Sequence, residues 1–141
     1  MIVIDVSVIV KCYVPEAGSD KAIKLIAGFE KLVAPELIRV EVSAALCRKA
    51  REGQIHANDA ALCCDKWRKH LADEVVLTVP NQELLAAAER LALELKHPVQ
   101  DCIYLALAKS EKTFLMTADN KFRDKATKLH PESKLLADYP G

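Results

Sequence analysis

Four short apolar runs constrain the fold more than any other feature: Ile2-Val3-Ile4, Leu32-Val33-Ala34, residues 75–79 and Phe114-Leu115-Met116. Each is too short for a core helix and ends at an acid, a proline or a polar residue. Each therefore reads as a strand buried on both faces. The segments between them are long enough for helices, carry no hairpin signal, and the whole chain has only four glycines. Strands without hairpins are joined by crossovers, which makes the sheet parallel and places helices on both of its faces. The expected class is α/β, with one domain over residues 1–141.

The helices follow from apolar spacing and punctuation. A short helix is expected over residues 6–14, ended by Pro15. A second begins at the Ser19-Asp20 cap region, with Ala22, Ile23, Ile26 and Phe29 at helical spacing. Pro35 stops the second strand and opens a helix over 36–52 that Gly53 closes. A further helix over 58–71 places Ala60, Cys64, Trp67 and Leu71 on one face. Asn81 is expected to cap a long helix striped by Leu84, Ala88, Leu91 and Leu95. After the break at His97-Pro98 comes a helix over 99–109, then a short basic helix over 121–128 and a last strand over 133–137.

Four acids occupy unusual places in this layout. Asp5 ends the first strand, at the carboxyl edge where open α/β sheets collect ligand chemistry. Glu41 has Leu37, Ile38, Ala44 and Ala45 at its i±3 and i±4 positions, and a carboxylate in an apolar stripe is costly unless paired or bound to a cation. Asp101 lies in the first turn after Pro98 and shares a face with Tyr104 and Leu105. Asp119 directly follows the Phe114–Met116 run, with Thr117 projecting to the same side two residues earlier. Each has an ordinary alternative: a turn or cap for Asp5 and Asp119, a buried ion pair for Glu41, a helix-dipole acid for Asp101. Taken together, all four can converge on one sheet edge.

Several carboxylates in one small site raise each other's pKa unless a cation balances them. Mg2+ or Mn2+ takes oxygen ligands, keeps waters, and accepts substrate phosphate. Clustered acids with such a metal suit phosphodiester hydrolysis by water. No G-x-S-x-G, Walker lysine loop, G-x-G-x-x-G or H-E-x-x-H is present. The four histidines (56, 70, 97, 130) are scattered, and the expectation is that they are solvated or structural. The five cysteines lack zinc spacing and read as reduced thiols.

The formal net charge is zero, which argues against a general nucleic-acid binder. Local basic groups nonetheless flank the acids: Lys11 after the first strand; Arg48, Lys49 and Arg51 ending the Glu41 helix; Lys121, Arg123 and Lys125 after Asp119. They could neutralise phosphates beside an acidic centre, or be ordinary solvated faces. No run approaches the roughly 20 apolar residues of a membrane span. Met1 starts on the strand without a basic leader region, so the cytoplasm is expected.

Four ordered blocks now carry a resemblance: MIVIDVSV at 1–8, APELIRVEVSAAL at 34–46, PVQDCIYLALA at 98–108 and LMTADNKF at 115–122. Together they resemble PIN-domain proteins, and most closely the VapC-like ribonuclease toxins of prokaryotic toxin–antitoxin pairs. The resemblance implies a three-layer α/β/α fold with a central parallel sheet and Mg2+- or Mn2+-dependent endoribonuclease activity. It places the catalytic acids at Asp5, Glu41, Asp101 and Asp119, with Asp5 and Asp101 as main metal ligands. Ser7 and Thr117 become supporting groups that orient carboxylates or water. It also implies an RNA substrate, a homodimer and a small cognate antitoxin that blocks the site. One departure is Gln100, where many relatives carry an aromatic residue.

Two other readings fit the residues. Asp5 could be the nucleophile of an aspartyl-phosphate domain, although Ser7 stands where such domains carry a second Asp. Alternatively, the acids could only cap helices in a non-enzymatic partner-binding domain.

Overall fold

The computed structural model describes residues 1–140. Five strands, β1 (Ile2–Ile4), β2 (Leu32–Pro35), β3 (Val76–Val79), β4 (Phe114–Thr117) and β5 (Ser133–Leu135), form one sheet in the order β3-β2-β1-β4-β5. Every pairing is parallel. The described residues contain seven α-helices: α1 (Val6–Val10), α2 (Ser19–Gly28), α3 (Ile38–Arg51), α4 (Ala57–Ala72), α5 (Leu85–Leu95), α6 (Val99–Glu111) and α7 (Asn120–Ala126). They flank the sheet in the three-layer α/β/α arrangement.

β1 and β2 are apolar and wholly buried because both sheet faces are covered there, whereas the edge strands β3 and β5 are less covered and carry Thr78, Ser133 and Lys134. Ile2, Val3 and Ile4 have no exposed surface at all. The α6 helix is buried more completely than a single inner stripe implies. Every residue from Cys102 to Ala108 is buried, because α6 packs against α5 and against β1, β2 and β4. The chain leaves β1 toward β2 and β3 on one side, whereas β4 and β5 lie on the other. The gap between the ends of β1 and β4 is therefore a topological switch point, where ligands of open α/β sheets bind.

Several boundaries differ from expectation. The first helix stops at Val10, well short of Val14. Gly18, in the left-handed region at φ 90°, precedes α2, while the Ser19 hydroxyl turns back to the Val14 carbonyl at 3.1 Å. Pro35 is not the start of a helix but the last residue of β2, opposite Val79. It can close the strand because Glu36 N–H resumes the ladder to Val79 O at 2.8 Å. Asn81 opens a 3-10 turn (Asn81–Glu83) rather than capping α5. Its Oδ1 instead accepts Leu37 N–H at 3.0 Å, and its own N–H donates to Glu36 Oε1 at 3.3 Å. This reciprocal clasp joins the β2 and β3 exits. A 3-10 turn over Leu136–Asp138 follows the shortened last strand.

The Gly53 stop is as expected. Its φ is 78°, and its N–H reaches Ala50 O at 3.0 Å just past α3. All five cysteines are free thiols, and burial pushes Cys12 and Cys102 up to about 11, which leaves them inert as small apolar groups. Among the described residues, no helix is long and apolar enough to cross a membrane.

Candidate active site

The strand ends are stitched together by two hydroxyls. Asp5 N–H extends the β1–β4 ladder to Met116 O at 3.0 Å, so the residue is held in the sheet while its side chain leaves it. Asp5 Oδ1 accepts Val6 N–H at 2.9 Å and caps α1. Its Oδ2 accepts both the Ser7 and the Thr117 hydroxyls at 2.7 Å. Those hydroxyls are themselves oriented from β4's exit. Ala118 N–H donates to Ser7 Oγ at 2.9 Å, and Asp119 N–H donates to Thr117 Oγ1 at 3.1 Å. Two lone pairs on Oδ2 and one on Oδ1 are thus occupied, which leaves Asp5 one lone pair to offer a ligand.

Asp5 is 3% exposed, and burial pushes its carboxyl up to about 6. The Thr117 and Ser7 hydrogen bonds oppose that rise, while the charges of Asp101 and Glu41 add to it. Glu41 is half-buried on α3. Burial raises its pKa, the Tyr104 hydroxyl at 2.7 Å from Oε1 opposes this, and Asp101 raises it further. Tyr104 is fully buried on α6, and burial with the neighbouring acids drives its phenol far above the ordinary range, so it remains a donor. The fold therefore brings Asp5, Glu41 and Asp101 within one another's fields.

Asp119 is placed differently. It is exposed, and its Oδ1 caps α7 by accepting Lys121 N–H at 2.9 Å and Phe122 N–H at 3.2 Å. It reaches the other acids through Thr117 and stands at the rim. The capping alternative thus describes one oxygen each of Asp5 and Asp119. It does not describe Glu41 or Asp101, which cap no helix.

A groove of about 330 Å3 runs from Ser7 and Asp119 to Lys11, Arg48 and Lys49. Val6, Ala45 and Arg48 also line a second hollow of about 450 Å3, which contains Glu41 and Arg51. Ala44 is exposed and Ala45 half-buried, so this part of α3 is a groove wall and not core. Glu16, which sequence reasoning passed over, holds both lysines. Its carboxylate lies 2.9 Å from Lys49 Nζ and 3.4 Å from Lys11 Nζ. Lys121 is exposed beside Asp119. Arg123 faces elsewhere: it pairs with Asp124 and Asp138 in a hollow that includes Pro131 and Lys134. An apolar cavity of about 320 Å3 around Tyr13, Trp67 and His70 contains no carboxylate.

Sequence reasoning also missed His97. The expectation of solvated or structural histidines suits exposed His56 and buried His130, whose Nε2 is 2.7 Å from Thr113 O. His97 instead lies with Nε2 2.7 Å from Asp101 Oδ2. The i,i+4 spacing across Pro98 was the available signal. Tyr104 has the setting of a core residue, and its hydroxyl, the one in the buried stretch 102–108, is the clue to its second role.

Asp5, Glu41 and Asp101 offer only hard carboxylate oxygens. Among the described residues, Glu41 Oε2 and Asp101 Oδ1 have no hydrogen-bond donor. That donor set fits a hard divalent cation. The acids do not form a ready-made coordination shell, since no three His, Cys, Asp or Glu side chains among the described residues are so arranged. Waters and substrate oxygens would complete the coordination, as is usual for Mg2+.

The fold and site so far define an α/β protein with an acidic centre at the switch point of a parallel sheet. Residues 2–128 match the PIN domain family, and the chain belongs to it. It is 30% identical over 125 residues to ribonuclease VapC3 of Pyrobaculum aerophilum, covering 88% of this chain and 93% of that protein. The crystal structure of PAE2754 from the same organism matches with a TM-score of 0.66 at 27% identity, over 96% of each chain. A chain of a toxin–antitoxin complex from Klebsiella pneumoniae shares the fold with a TM-score of 0.66 at 15% identity, over 96% of this chain and 98% of that one.

Proposed function

We propose that this protein is a divalent-metal-dependent endoribonuclease, the toxin of a toxin–antitoxin pair. The observation that carries the reading is a carboxylate cluster, buried at Asp5 and half-buried at Glu41 and Asp101, beside a basic groove. Asp5 and Glu41 are pushed toward protonation by burial and by their neighbours, an imbalance that a cation relieves. Asp5 and Asp101 are the main ligands, with Glu41 and Asp119 completing the site directly or through water. When bound, Mg2+ or Mn2+ supplies charge neutralisation at the phosphate and acidifies an attacking water.

The chain's own groups account for the rest. Ser7 and Thr117 fix the Asp5 carboxylate so that it does not rotate on binding. Tyr104 holds one oxygen of Glu41 and leaves the other to take a proton from water. Lys11, Arg48 and Lys49 line the path for the RNA backbone, with Lys121 at the rim. Among the described residues only His97 reaches the cluster, so no histidine acid/base pair stands ready there to activate a 2′-hydroxyl. Water is the nucleophile, and the products carry 5′-phosphate and 3′-hydroxyl ends.

An aspartyl-phosphate role is less well supported. Both lysines of this groove are already engaged: Lys11 Nζ by Ala17 O at 2.8 Å and by Glu16, and Lys49 Nζ by Glu16. The homodimer, the small antitoxin that covers the groove and the cytoplasmic site of action rest on the resemblance to VapC-like toxins and on the kinship with ribonuclease VapC3.

The test is cleavage of a mixed RNA pool with and without Mg2+, followed by end-group analysis. Wild-type protein should cut only with metal, and Asp5→Asn should lose cleavage. Products ending in 2′,3′-cyclic phosphate, or undiminished cutting by Asp5→Asn, would refute the mechanism.

A further inference from the structure

We infer that His97 is a positioning residue for Asp101, backed by Phe122, so that a stacked ring pair sets the direction of one proposed metal-binding carboxylate. The inference rests on the metal-site reading above.

The His97 side chain is 5% exposed, and its Nε2–H donates to Asp101 Oδ2 at 2.7 Å. Its ring lies flat on Phe122, with centroids 5.1 Å apart and planes within 11°. Phe122 is buried on α7, and its backbone N–H is held by Asp119 Oδ1. Contacts therefore run unbroken from Asp101 through His97 and Phe122 to Asp119, joining two acids from separate corners of the fold.

The backbone is built around this arrangement. Lys96 ends α5 in the left-handed region at φ 53°, a conformation costly for a residue with a Cβ. That turn reverses the chain just before His97, and Lys125 Nζ of α7 holds the Lys96 carbonyl at 2.9 Å. His97 Nδ1 is buried without a partner. The ring thus gives up one hydrogen bond and keeps the one to Asp101, although a purely space-filling role would suit an apolar side chain better.

A carboxylate in the first turn of a helix has free rotation about two bonds. Pinning Oδ2 removes that freedom and leaves Oδ1 as the ligand atom. Metal sites depend on such outer partners, whose loss typically weakens binding about 10–100-fold.

His97→Phe keeps the stacking surface and removes the donor, whereas His97→Gln restores an N–H at the position of Nε2. Mn2+ affinity is measured by electron paramagnetic resonance on RNA-free protein, with thermal melting in EDTA as a folding control. We expect His97→Phe to weaken Mn2+ binding about tenfold at an unchanged metal-free melting temperature, and His97→Gln to recover most of the loss. In wild-type protein, Mg2+ should also shift the ring nitrogen resonances of His97 and leave those of His56, His70 and His130 in place. This second measurement needs no variant.

Mn2+ binding lost in Asp5→Asn but unchanged in His97→Phe would overturn the positioning role alone. So would His97 resonances that do not move at saturating Mg2+. Wild-type protein that binds neither metal would overturn the metal-site reading and this inference with it.

Discussion

Replacing Asp5 with asparagine should stabilise the metal-free protein while destroying its activity. The carboxylate is buried beside two other acids, so ionising it costs the folded state free energy. Its pKa rises from 3.8 to about 6 on folding. At about 1.4 kcal/mol per pH unit, the cost is about 3 kcal/mol. The sign is opposite to that of a salt-bridged acid. The folded state binds the proton more tightly, so the Asp5 contribution is fully present below about pH 4 and is lost as pH rises through about 6. Asparagine has the same shape, and the Ser7 and Thr117 hydroxyls can rotate to accept from its amide. The assay is urea denaturation in EDTA between pH 4 and 8 for both proteins. Subtracting one curve from the other cancels every group they share. The variant's advantage should grow by about 2.5 kcal/mol across that range, and saturating Mg2+ at pH 7.5 should stabilise the wild type far more than the variant. A difference curve flat with pH would refute the reasoning, because it would mean that burial and the neighbouring acids do not perturb Asp5.

Tyr104→Phe removes the donor to Glu41 and keeps the ring, so it should cost about 1 kcal/mol of stability. Because that hydrogen bond holds the Glu41 pKa down, the acid limb of the pH–rate profile should move to higher pH, as initial rates from pH 5 to 8 would show. Glu16→Gln releases Lys11 and Lys49, and filter binding of a non-cleavable RNA should tighten. The gain should be no more than about fivefold, since partly exposed ion pairs contribute about 0–1 kcal/mol. Arg48→Ala should weaken the same RNA and lower the slope of log affinity against log salt by about one, the value for a single lost phosphate contact. Arg123→Ala, which faces Asp138 instead of the groove, should leave that slope unchanged.

Much of the architecture is local and hence legible in the chain. The strand runs are short, apolar but for Thr78 and separated by helix-length segments, a pattern that a covered parallel sheet satisfies. Gly53 needs a positive φ, and the Leu84–Leu95 stripe needs a 3.6-residue period, and both are properties of neighbouring residues. Asp5 and Asp119 also stand out locally, because their place at strand ends follows from the runs that precede them. What lies between elements is not written in this way. Pro35 looks like a helix start until β3 is beside it, and Asn81 looks like the cap of its own helix until Leu37 N–H is within reach. Glu16 is an unremarked loop acid until α1 and α3 bring two lysines to it. Tyr104 has the sequence context of a core residue, and only the tertiary structure brings its hydroxyl on α6 to Glu41 on α3. His97 is the sharpest case: four residues from Asp101, it is one of several unassigned histidines until α7 folds back and lays Phe122 on its ring. The chain by itself determined which acids could meet and at which edge of the sheet. Only the tertiary structure decided how each carboxylate is held, because hydrogen bonds and burial depend on distances across elements that no local pattern encodes.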